Sequence, residues 1–356
     1  MQHIGILSLG TYLPERIQTG EEIAAASGLP PAVVTEKLGI KAKRVPGPDD
    51  GTVAMGIRAA QQAIERAGID PAEIDLVICI GEEYKEYGLW TAGIKTAQAV
   101  GARRAWAFDT ALRCGTWVLG MRLAEALMLS DPAINTVLLA GGYRNGDLID
   151  YQNERVRFMY NLGAGGGAML LRKNLGRNRV LGSAIRIDGQ LAETVGVRGG
   201  GTAAGPEGLR PELYQLDVFD PDLMRQRLGA VSTANFVGVV QEVCAKGGFR
   251  PEQIGYAAIL HMKKSAHLEL LQSLGLSEAH SIYLSEYGHI GQIDQILSIE
   301  LALQSGRIKE GDLVVGISAG VGYAWGATAI VWGPCTSSED VASLAPQELV
   351  HGGEVR

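Results

Sequence analysis

Apolar segments of strand length alternate with helical segments along most of the chain. Residues 53–67 have apolar positions at helical spacing, and Gly68 follows them as a C-terminal cap. Unbroken apolar strands separated by helices are typical of a sheet buried between helical layers. The pattern therefore predicts an α/β fold. The predicted strands lie at residues 4–14, 74–81, 136–142, 167–172 and 313–320.

A helix–turn–strand unit occurs once in each half of the chain. The segments GIDPAEIDLVICI (68–80) and GFRPEQIGYAAIL (248–260) share their Gly, Pro and Ile positions, and each follows a helical pattern of similar length. Two unrelated units could share a Gly-x-x-Pro turn, because it is common turn chemistry. The equal spacing favours duplication. It predicts halves at 1–175 and 176–333, related by a pseudo-twofold axis, followed by a tail at 334–356.

Composition excludes several classes of function. The net charge is −7 and no basic run is present, so no nucleic-acid partner is expected. The four cysteines form no CxxC pair, which predicts neither a metal site nor a disulfide framework and favours a reducing cytoplasm. The N-terminus does not resemble a signal peptide, and no apolar run approaches the roughly 20 residues of a membrane span, so no membrane partner is expected.

Cys114 stands where a polar turn meets an apolar segment, Gly115 to Leu129, that is predicted to be a buried helix. Unpaired N–H groups and the helix dipole favour an anion at a helix N-terminus. Cysteines there have thiol pKa values lowered from about 8.5 towards roughly 3.5–7.5. The position indicates a thiolate nucleophile. The alternative is a small buried hydrophobe, since free cysteine is often fully buried.

Two histidines are candidate partners for this cysteine. His261 ends the apolar strand YAAILHMKK, and His289 lies in the glycine-flanked loop SEYGHIGQIDQ. Active sites of α/β proteins gather at such strand and loop ends. A lone histidine there is more often a structural hydrogen-bonding group, but two of them with a helix-terminal cysteine indicate a nucleophile–histidine site.

Glycine-rich segments add a third element. Residues 318–332 predict a turn whose N–H groups could stabilise an oxyanion, although an ordinary β-hairpin would have the same sequence. The glycines at 161–171 lack dinucleotide-binding spacing, and no P-loop, HExxH or GxSxG motif is present.

Together these motifs resemble the thiolase-superfamily condensing enzymes, most closely the ketoacyl synthase III-like group, over residues 1–333. AFDTALRCGTW is similar to the family's Asp-(x)4-Cys segment, with Asp109 and Cys114 in place. ILHMKK is similar to the segment of the strand-end histidine, His261, and LGIKAKR to an early Thr-Gly-Ile segment with Leu38 in place of the threonine. The resemblance implies a five-layered α/β/α/β/α fold of two duplicated halves and a homodimer.

The resemblance also implies an acyltransferase of the 3-oxoacyl synthase type, acting in fatty acid biosynthesis in the cytoplasm. Cys114 would carry an acyl group as a thioester, with the oxyanion held by the N–H groups of Cys114 and Val321. A malonyl-type thioester would then lose CO₂ with its carbonyl between His261 and His289. The group III members have asparagine where this chain has His289; imidazole can donate as an amide does, but it also titrates near pH 6.5. His289→Ala is therefore expected to spare loading of Cys114 and to slow condensation.

The implied substrates are thioesters of coenzyme A or phosphopantetheine, delivered as acyl-CoA or by acyl carrier protein, with no bound cofactor. The family's Trp and Arg beside the coenzyme A nucleotide are Val33 and Lys37 here. The remaining binding candidates share positions next to these motifs. Lys263 and Lys264 are either ligands of the carrier phosphate or a solvated pair. Leu89 and Trp90 are candidates for lining an acyl pocket across the dimer interface. Gly320, in the closing hairpin, is the last candidate.

Other functions remain open at this point. Glu86, in an acidic loop with Glu82 and Glu83, is a candidate base for a non-decarboxylating condensation, or part of a solvated face. If the chain is an enzyme, the alternatives are a non-decarboxylating condensation and acyl transfer to a different nucleophile. If it is not a condensing enzyme, the alternatives are a non-catalytic acyl-thioester binder and a nucleotide-binding α/β protein.

Overall fold

The computed structural model describes residues 2–335, so all but the first two residues of the predicted tail lie outside the described part. Thirteen strands and seven α-helices are found there. The strands are β1 Ile4–Tyr12, β2 Ile17–Thr19, β3 Ala42–Arg44, β4 Leu76–Cys79, β5 Trp106–Asp109, β6 Thr136–Tyr143, β7 Gly165–Lys173, β8 Arg177–Ile187, β9 Val195–Val197, β10 Leu216–Val218, β11 Ile254–Ile259, β12 Leu313–Gly320 and β13 Ala324–Pro334. The helices are α1 Gly20–Ser27, α2 Thr52–Ala67, α3 Ala92–Val100, α4 Thr116–Ser130, α5 Pro221–Lys246, α6 Lys264–Ser273 and α7 Asp294–Gln304.

Nine of these strands form one sheet, in the order β11-β12-β13-β8-β1-β7-β6-β4-β5. The order repeats outwards from the centre, as β1-β7-β6-β4 in the first half and β8-β13-β12-β11 in the second. In each set the first two pairs are antiparallel and the third is parallel. This common order follows from a duplicated unit, and β8 and β1 join the two halves through the pair Gly5–Arg179.

The helices complete five layers. Helices α2 and α3 pack on β1 and β4–β7 of the first half, and α5 packs on β8 and β13 of the second, beside α6. Helices α4 and α7 contact strands of both halves, so they form the middle layer. The site residues at the N-terminal ends of these two middle helices are thereby brought together.

The repeated helix–turn–strand unit has the same local structure in both halves. Gly68 (φ +62°) and Gly248 (φ +77°) both adopt the left-handed conformation that glycine allows after a helix. A short 3₁₀ helix follows each, Pro71–Glu73 before β4 and Pro251–Gln253 before β11.

Helix α4 differs from the fully buried helix that the sequence predicted. Trp117, Val118 and Met121 are completely buried, because the first turns lie between the two halves. Towards the C-terminal end the helix reaches the surface, and Leu129 is 42% exposed.

Helix α5 has the length and composition of a membrane span, contrary to the expectation that no segment would. It has 26 residues, and an 18-residue stretch has a mean hydropathy of 1.3, with 33% of that stretch buried. Val239, Val240 and Val243 are completely buried against the second half of the sheet. These three valines of α5 belong to the core, whereas Leu223, which is 36% exposed, lies at the surface.

His267 in α6 predicts acid sensitivity of the fold. Burial lowers its pKa to about 4. Because an unfolded histidine takes up its proton near pH 6.5, acidification from 6.5 to 4 favours the unfolded state. The wild-type protein should have a smaller free energy of unfolding at pH 4.5 than at pH 7. We expect this difference to be about 2 kcal/mol smaller in His267→Leu. Urea denaturation at both pH values measures this, with His280→Leu as the matched control. An unchanged pH dependence in His267→Leu would contradict the assignment.

Candidate active site

Cys114 lies in the 3₁₀ turn Arg113–Gly115 that leads directly into α4. The hydroxyl of Thr116 fixes this turn: it accepts the N–H of Leu112 (2.8 Å) and donates to the carbonyl of Arg113 (2.6 Å). Cys114 itself is half-buried. The turn therefore presents a reachable sulfur at the N-terminal end of a buried helix.

His289 is the side chain that faces this sulfur. Its Nε2 lies 3.1 Å from Cys114 Sγ. Its backbone is fixed by two hydrogen bonds to the 161–163 segment: His289 N–H donates to Asn161 O (2.8 Å), and Gly163 N–H donates to His289 O (2.9 Å). The loop is thus held in place, and the imidazole is 6% exposed.

Asp294, the first residue of α7, orients the imidazole from the other side. Its Oδ2 lies 2.5 Å from His289 Nδ1 and accepts the backbone N–H of His261 (2.7 Å). Its Oδ1 accepts the N–H of Ile290 (2.7 Å). The carboxyl group is completely buried. A continuous sulfur–imidazole–carboxylate chain results, with the carboxylate held by backbone donors.

The charges around His289 favour its protonated imidazole. Burial lowers the pKa of His289, but the charges of Asp294 and Cys114 and the hydrogen bonds to both outweigh it and raise that pKa well above its usual value. The imidazolium then donates through Nδ1 to the carboxylate and through Nε2 to the sulfur. Proton exchange between cysteine and histidine, with a third group orienting the base, is the arrangement of nucleophilic catalysis.

The ring of His261 is engaged with other protein groups. Asn161 Nδ2 donates to its Nδ1 (2.9 Å), and its Nε2 lies 3.3 Å from the carbonyl of Gly39, which assigns the proton to Nε2. Burial lowers the pKa of His261 to about 4. His261 is therefore a neutral donor. The long bond to Gly39 is the contact that an incoming carbonyl oxygen could replace.

The hairpin of β12 and β13 packs directly on the nucleophile segment. A Cβ atom at Gly320 would lie 2.5 Å from Leu112 O and 3.1 Å from Cys114 N. Val321 follows Gly320 in the turn between these strands. The hairpin is therefore packed against the nucleophile segment, and the oxyanion role of the Cys114 and Val321 N–H groups stays a prediction.

This close approach predicts the effect of Gly320→Ala. The added methyl group must displace the turn that carries Cys114, and a misplacement of about 1 Å can cost about 10²-fold in rate. We expect Cys114 loading by acyl-CoA to slow by about that factor and Tm to fall, because the methyl group meets backbone atoms. Gly201→Ala is the control, because a Cβ there meets no atom within 4 Å. Equal loading rates in the two variants would show that the packing is irrelevant to the nucleophile.

Glu86 has a structural contact that the sequence did not indicate. Its carboxylate accepts the N–H groups of Val53 (3.0 Å) and Ala54 (3.1 Å) at the N-terminus of α2. The candidate base of the acidic loop is therefore a helix cap in this structure. Glu82 is the buried carboxylate of that loop, and it accepts from Asn145 Nδ2 (3.0 Å) and Arg113 Nη1 (3.4 Å).

The predicted binding residues are mostly at the surface. Lys37, Lys263 and Lys264 are exposed, as is Leu89, whereas Trp90 packs against Val53 and Ala92. A cavity of about 410 Å³ has two further cations on its wall. Its lining residues are Arg155, Phe158, Val218, Pro221, Met224, Arg225, Leu228, Gly229 and Ser232.

Sequence reasoning missed Asp294 and Asn161. The only signal for Asp294 was an acidic residue at the start of an otherwise apolar helix, five positions after His289. Asn161 gave no signal, because its contact with His261 spans 100 positions of the chain.

Comparisons with known proteins agree with this geometry. The family model for 3-oxoacyl-[acyl-carrier-protein] synthase III matches residues 108–189, and the model for the C-terminal region of that family matches residues 244–332. The β-ketoacyl-[acyl-carrier-protein] synthase III of Symbiobacterium thermophilum is 27% identical over 333 residues, covering 93% of this chain and 98% of the relative.

Solved structures show the same fold. The 3-oxoacyl-(acyl carrier protein) synthase III of Pseudomonas aeruginosa superimposes with a TM-score of 0.81 at 19% identity, covering 93% of this chain and 98% of its own. OleA of Xanthomonas campestris superimposes with a TM-score of 0.78 at 20% identity, covering 93% and 99%.

The five layers, the duplicated halves and the helix-terminal cysteine define an acyl-transferring condensing enzyme of the thiolase superfamily. Within that superfamily, the chain is a 3-oxoacyl-[acyl-carrier-protein] synthase III-like enzyme, similar to that family in each half.

Proposed function

We propose that the chain joins an acyl group, first carried on Cys114, to the carbon of a malonyl-type thioester with loss of CO₂. The observation that carries this proposal is the 3.1 Å contact between Cys114 Sγ and His289 Nε2. A cysteine that only fills the core does not need a buried imidazolium at its sulfur. The non-catalytic binder is therefore disfavoured.

In the first half-reaction, the thiolate of Cys114 attacks the carbonyl carbon of the acyl thioester. The N–H groups of Cys114 and Val321 stabilise the developing oxyanion, and one such donor is typically worth about 10²–10³-fold in rate. The carrier leaves as a thiolate and takes a proton from His289 or from solvent. The acyl group remains as a thioester on Cys114, which divides one difficult step into two.

In the second half-reaction, the malonyl-type thioester binds with its carbonyl oxygen at the donors of His261 and His289. His261 Nε2–H exchanges the carbonyl of Gly39 for this oxygen. His289, which has regained from solvent the proton it gave to the carrier, donates through Nε2. Breaking the carbon–carboxylate bond releases CO₂ and leaves an enolate at these donors. The enolate carbon attacks the acyl carbon, and Cys114 leaves as the thiolate that re-forms its pair with His289.

We propose coenzyme A or acyl carrier protein as the carrier of both thioesters. Arg155 and Arg225 on the wall of the 410 Å³ cavity are candidate phosphate ligands, because guanidinium groups suit the phosphates that both carriers contain. A phosphate would compete there with Asp217 and Asp222, which pair with these arginines. OleA of Xanthomonas campestris has been crystallised with lauroyl-CoA. The exposed Lys263 and Lys264 are secondary candidates for the same phosphates.

We propose that the chain acts as a cytoplasmic homodimer. The outer end of the first half exposes several large apolar residues next to the edge strand β5, and an unpaired edge invites pairing with another chain. These residues are Tyr87, Leu89, Ile94 and Trp106, exposed by 68%, 111%, 59% and 51%. A dimer through this end would cover Leu89 and place it for an acyl pocket between subunits.

The test uses intact protein and a panel of acyl-CoA thioesters. Loading is followed by mass gain, and malonyl-CoA labelled in its free carboxyl group is then added. We expect one acyl group per chain, followed by release of labelled CO₂ in step with a 3-oxoacyl product. A product formed without CO₂ would replace the proposal by a non-decarboxylating condensation. Loading without any carbon–carbon product would refute the condensation step alone.

A further inference from the structure

The site contains a proton acceptor that the condensation half-reaction does not use. In that reaction the carbanion comes from breaking a carbon–carbon bond, so no base removes a proton. The enolate requires hydrogen-bond donors, which a side-chain amide would supply as well as an imidazole. The chain instead has His289, backed by a buried carboxylate.

Asp294 is costly to keep in this position. Burying an ionised carboxylate is unfavourable unless it is paired and hydrogen-bonded. Here it is satisfied by the N–H groups of Ile290 and His261 and by His289 Nδ1. A carboxylate at Nδ1 fixes the tautomer whose Nε2 can accept a proton, and it stabilises the imidazolium that results. The pair of His289 and Asp294 therefore has the arrangement of a general base and the carboxylate that orients it.

We propose that the hydroxyl group of an alcohol also attacks acyl-Cys114, with His289 as general base and Asp294 as its positioning residue, so that the same site forms esters. The proposal rests on the proposed function, because both reactions start from acyl-Cys114. Water is the competing oxygen nucleophile and gives the free acid.

Protons and bonds balance in this cycle. Loading converts the Cys114 thiolate, which lies at His289 Nε2, into a neutral thioester. The carrier thiolate takes the proton of the imidazolium and leaves as a thiol. The neutral Nε2 then accepts the hydroxyl proton while the alcohol oxygen bonds to the acyl carbon. The tetrahedral intermediate expels Cys114 as a thiolate, which regenerates the original ion pair. The products are the ester and the carrier thiol, with no oxidant or further reactant.

Two other titratable side chains near His289, those of His261 and Tyr143, do not fit this role. His261 uses Nδ1 to accept from Asn161 and has its proton on Nε2, so its ring presents no free lone pair. Tyr143, whose ring centroid lies 5.9 Å from that of His289, is completely buried, and burial raises its pKa well above the usual range. Cys114 is half-buried, so an acceptor can reach the acyl carbon.

The experiment separates ester formation from loading. Wild-type, His289→Asn and control His280→Asn proteins are loaded with hexanoyl-CoA to equal mass gain and freed of excess thioester. Each is then mixed with buffer, with methanol in buffer, or with malonyl-CoA. Acyl-enzyme lifetime, methyl hexanoate, hexanoic acid and 3-oxoacyl product are measured in single turnover.

We expect wild-type and His280→Asn proteins to form methyl hexanoate and to lose the acyl group faster in methanol. Asparagine can donate but cannot accept the proton, so His289→Asn is expected to lower ester formation by about 10²–10⁴-fold and condensation by much less. Two results would overturn the proposal and leave the proposed function standing. One is ester formation in His289→Asn at the wild-type rate. The other is a wild-type acyl-enzyme that condenses but forms neither ester nor acid. Ester formation without condensation would support it while refuting the condensation.

Asp294→Asn tests the positioning role through a pH profile. Without the carboxylate, the pKa of His289 falls, so the acid limb of ester formation should move to lower pH by more than about one unit while the limiting rate drops. An unmoved pH profile would show that Asp294 is only structural. Circular dichroism and retained loading establish that this variant is folded.

Discussion

Cys114→Ala is expected to abolish formation of the 3-oxoacyl product, with a loss of at least about 10⁴-fold, comparable to the loss of other covalent nucleophiles. The side chain is half-buried and its replacement removes one atom, so the fold should persist. The geometry explains the magnitude: no other cysteine of the described residues lies at the imidazole of His289. Product formation is measured by mass spectrometry with acyl-CoA and malonyl-CoA.

The control for this prediction is Cys244→Ala, which removes a thiol buried in α5 whose pKa burial raises to about 12. That variant should keep its activity if it remains folded. Substantial product from Cys114→Ala would mean that the acyl group is transferred directly between thioesters, without a covalent intermediate.

His289→Ala is the second large effect, and here the structure changes the expectation. From the sequence, loading of Cys114 was expected to survive this substitution. The 3.1 Å contact instead makes His289 the proton partner of the nucleophile. A positioned acid–base group contributes about 10²–10⁴-fold, so loading itself should slow by about that factor. It is followed by the rate of acyl mass gain with acyl-CoA.

His289→Ala also leaves the buried carboxylate of Asp294 without its partner, which should lower stability by about 3–5 kcal/mol. His289→Asn is the second variant to test. It should be more stable than His289→Ala, because asparagine can still donate to Asp294. Loading at the wild-type rate in both variants would restore the sequence-based expectation that His289 acts in condensation only.

The sequence was sufficient where structure depends on local pattern. The strand over 313–320 was predicted with the bounds that β12 has, and Gly68 caps α2 as its position indicated. The repeated turn at 68–80 and 248–260 pointed to the duplication that the strand order shows. These features follow from burial and from backbone conformation within a few residues.

The remainder depends on contacts between distant segments. The carboxylate of Glu86 meets the start of α2 more than thirty positions away, and no local pattern distinguishes such a cap from a solvated acidic loop. Asp294 could have been suspected only from its place in an apolar helix, because its role depends on the loop that positions His289. Helix α4 reaches the surface at its C-terminal end, where Leu129 is 42% exposed, and its apolar composition does not reveal this.

The most direct test of the account is peptide-level localisation of the acyl group after the wild-type protein has reacted with acyl-CoA. The account predicts a single thioester-linked acyl group, on the peptide that contains Cys114, which hydroxylamine removes. An acyl group on any other residue, or none at all on a folded protein that still turns over, would contradict it.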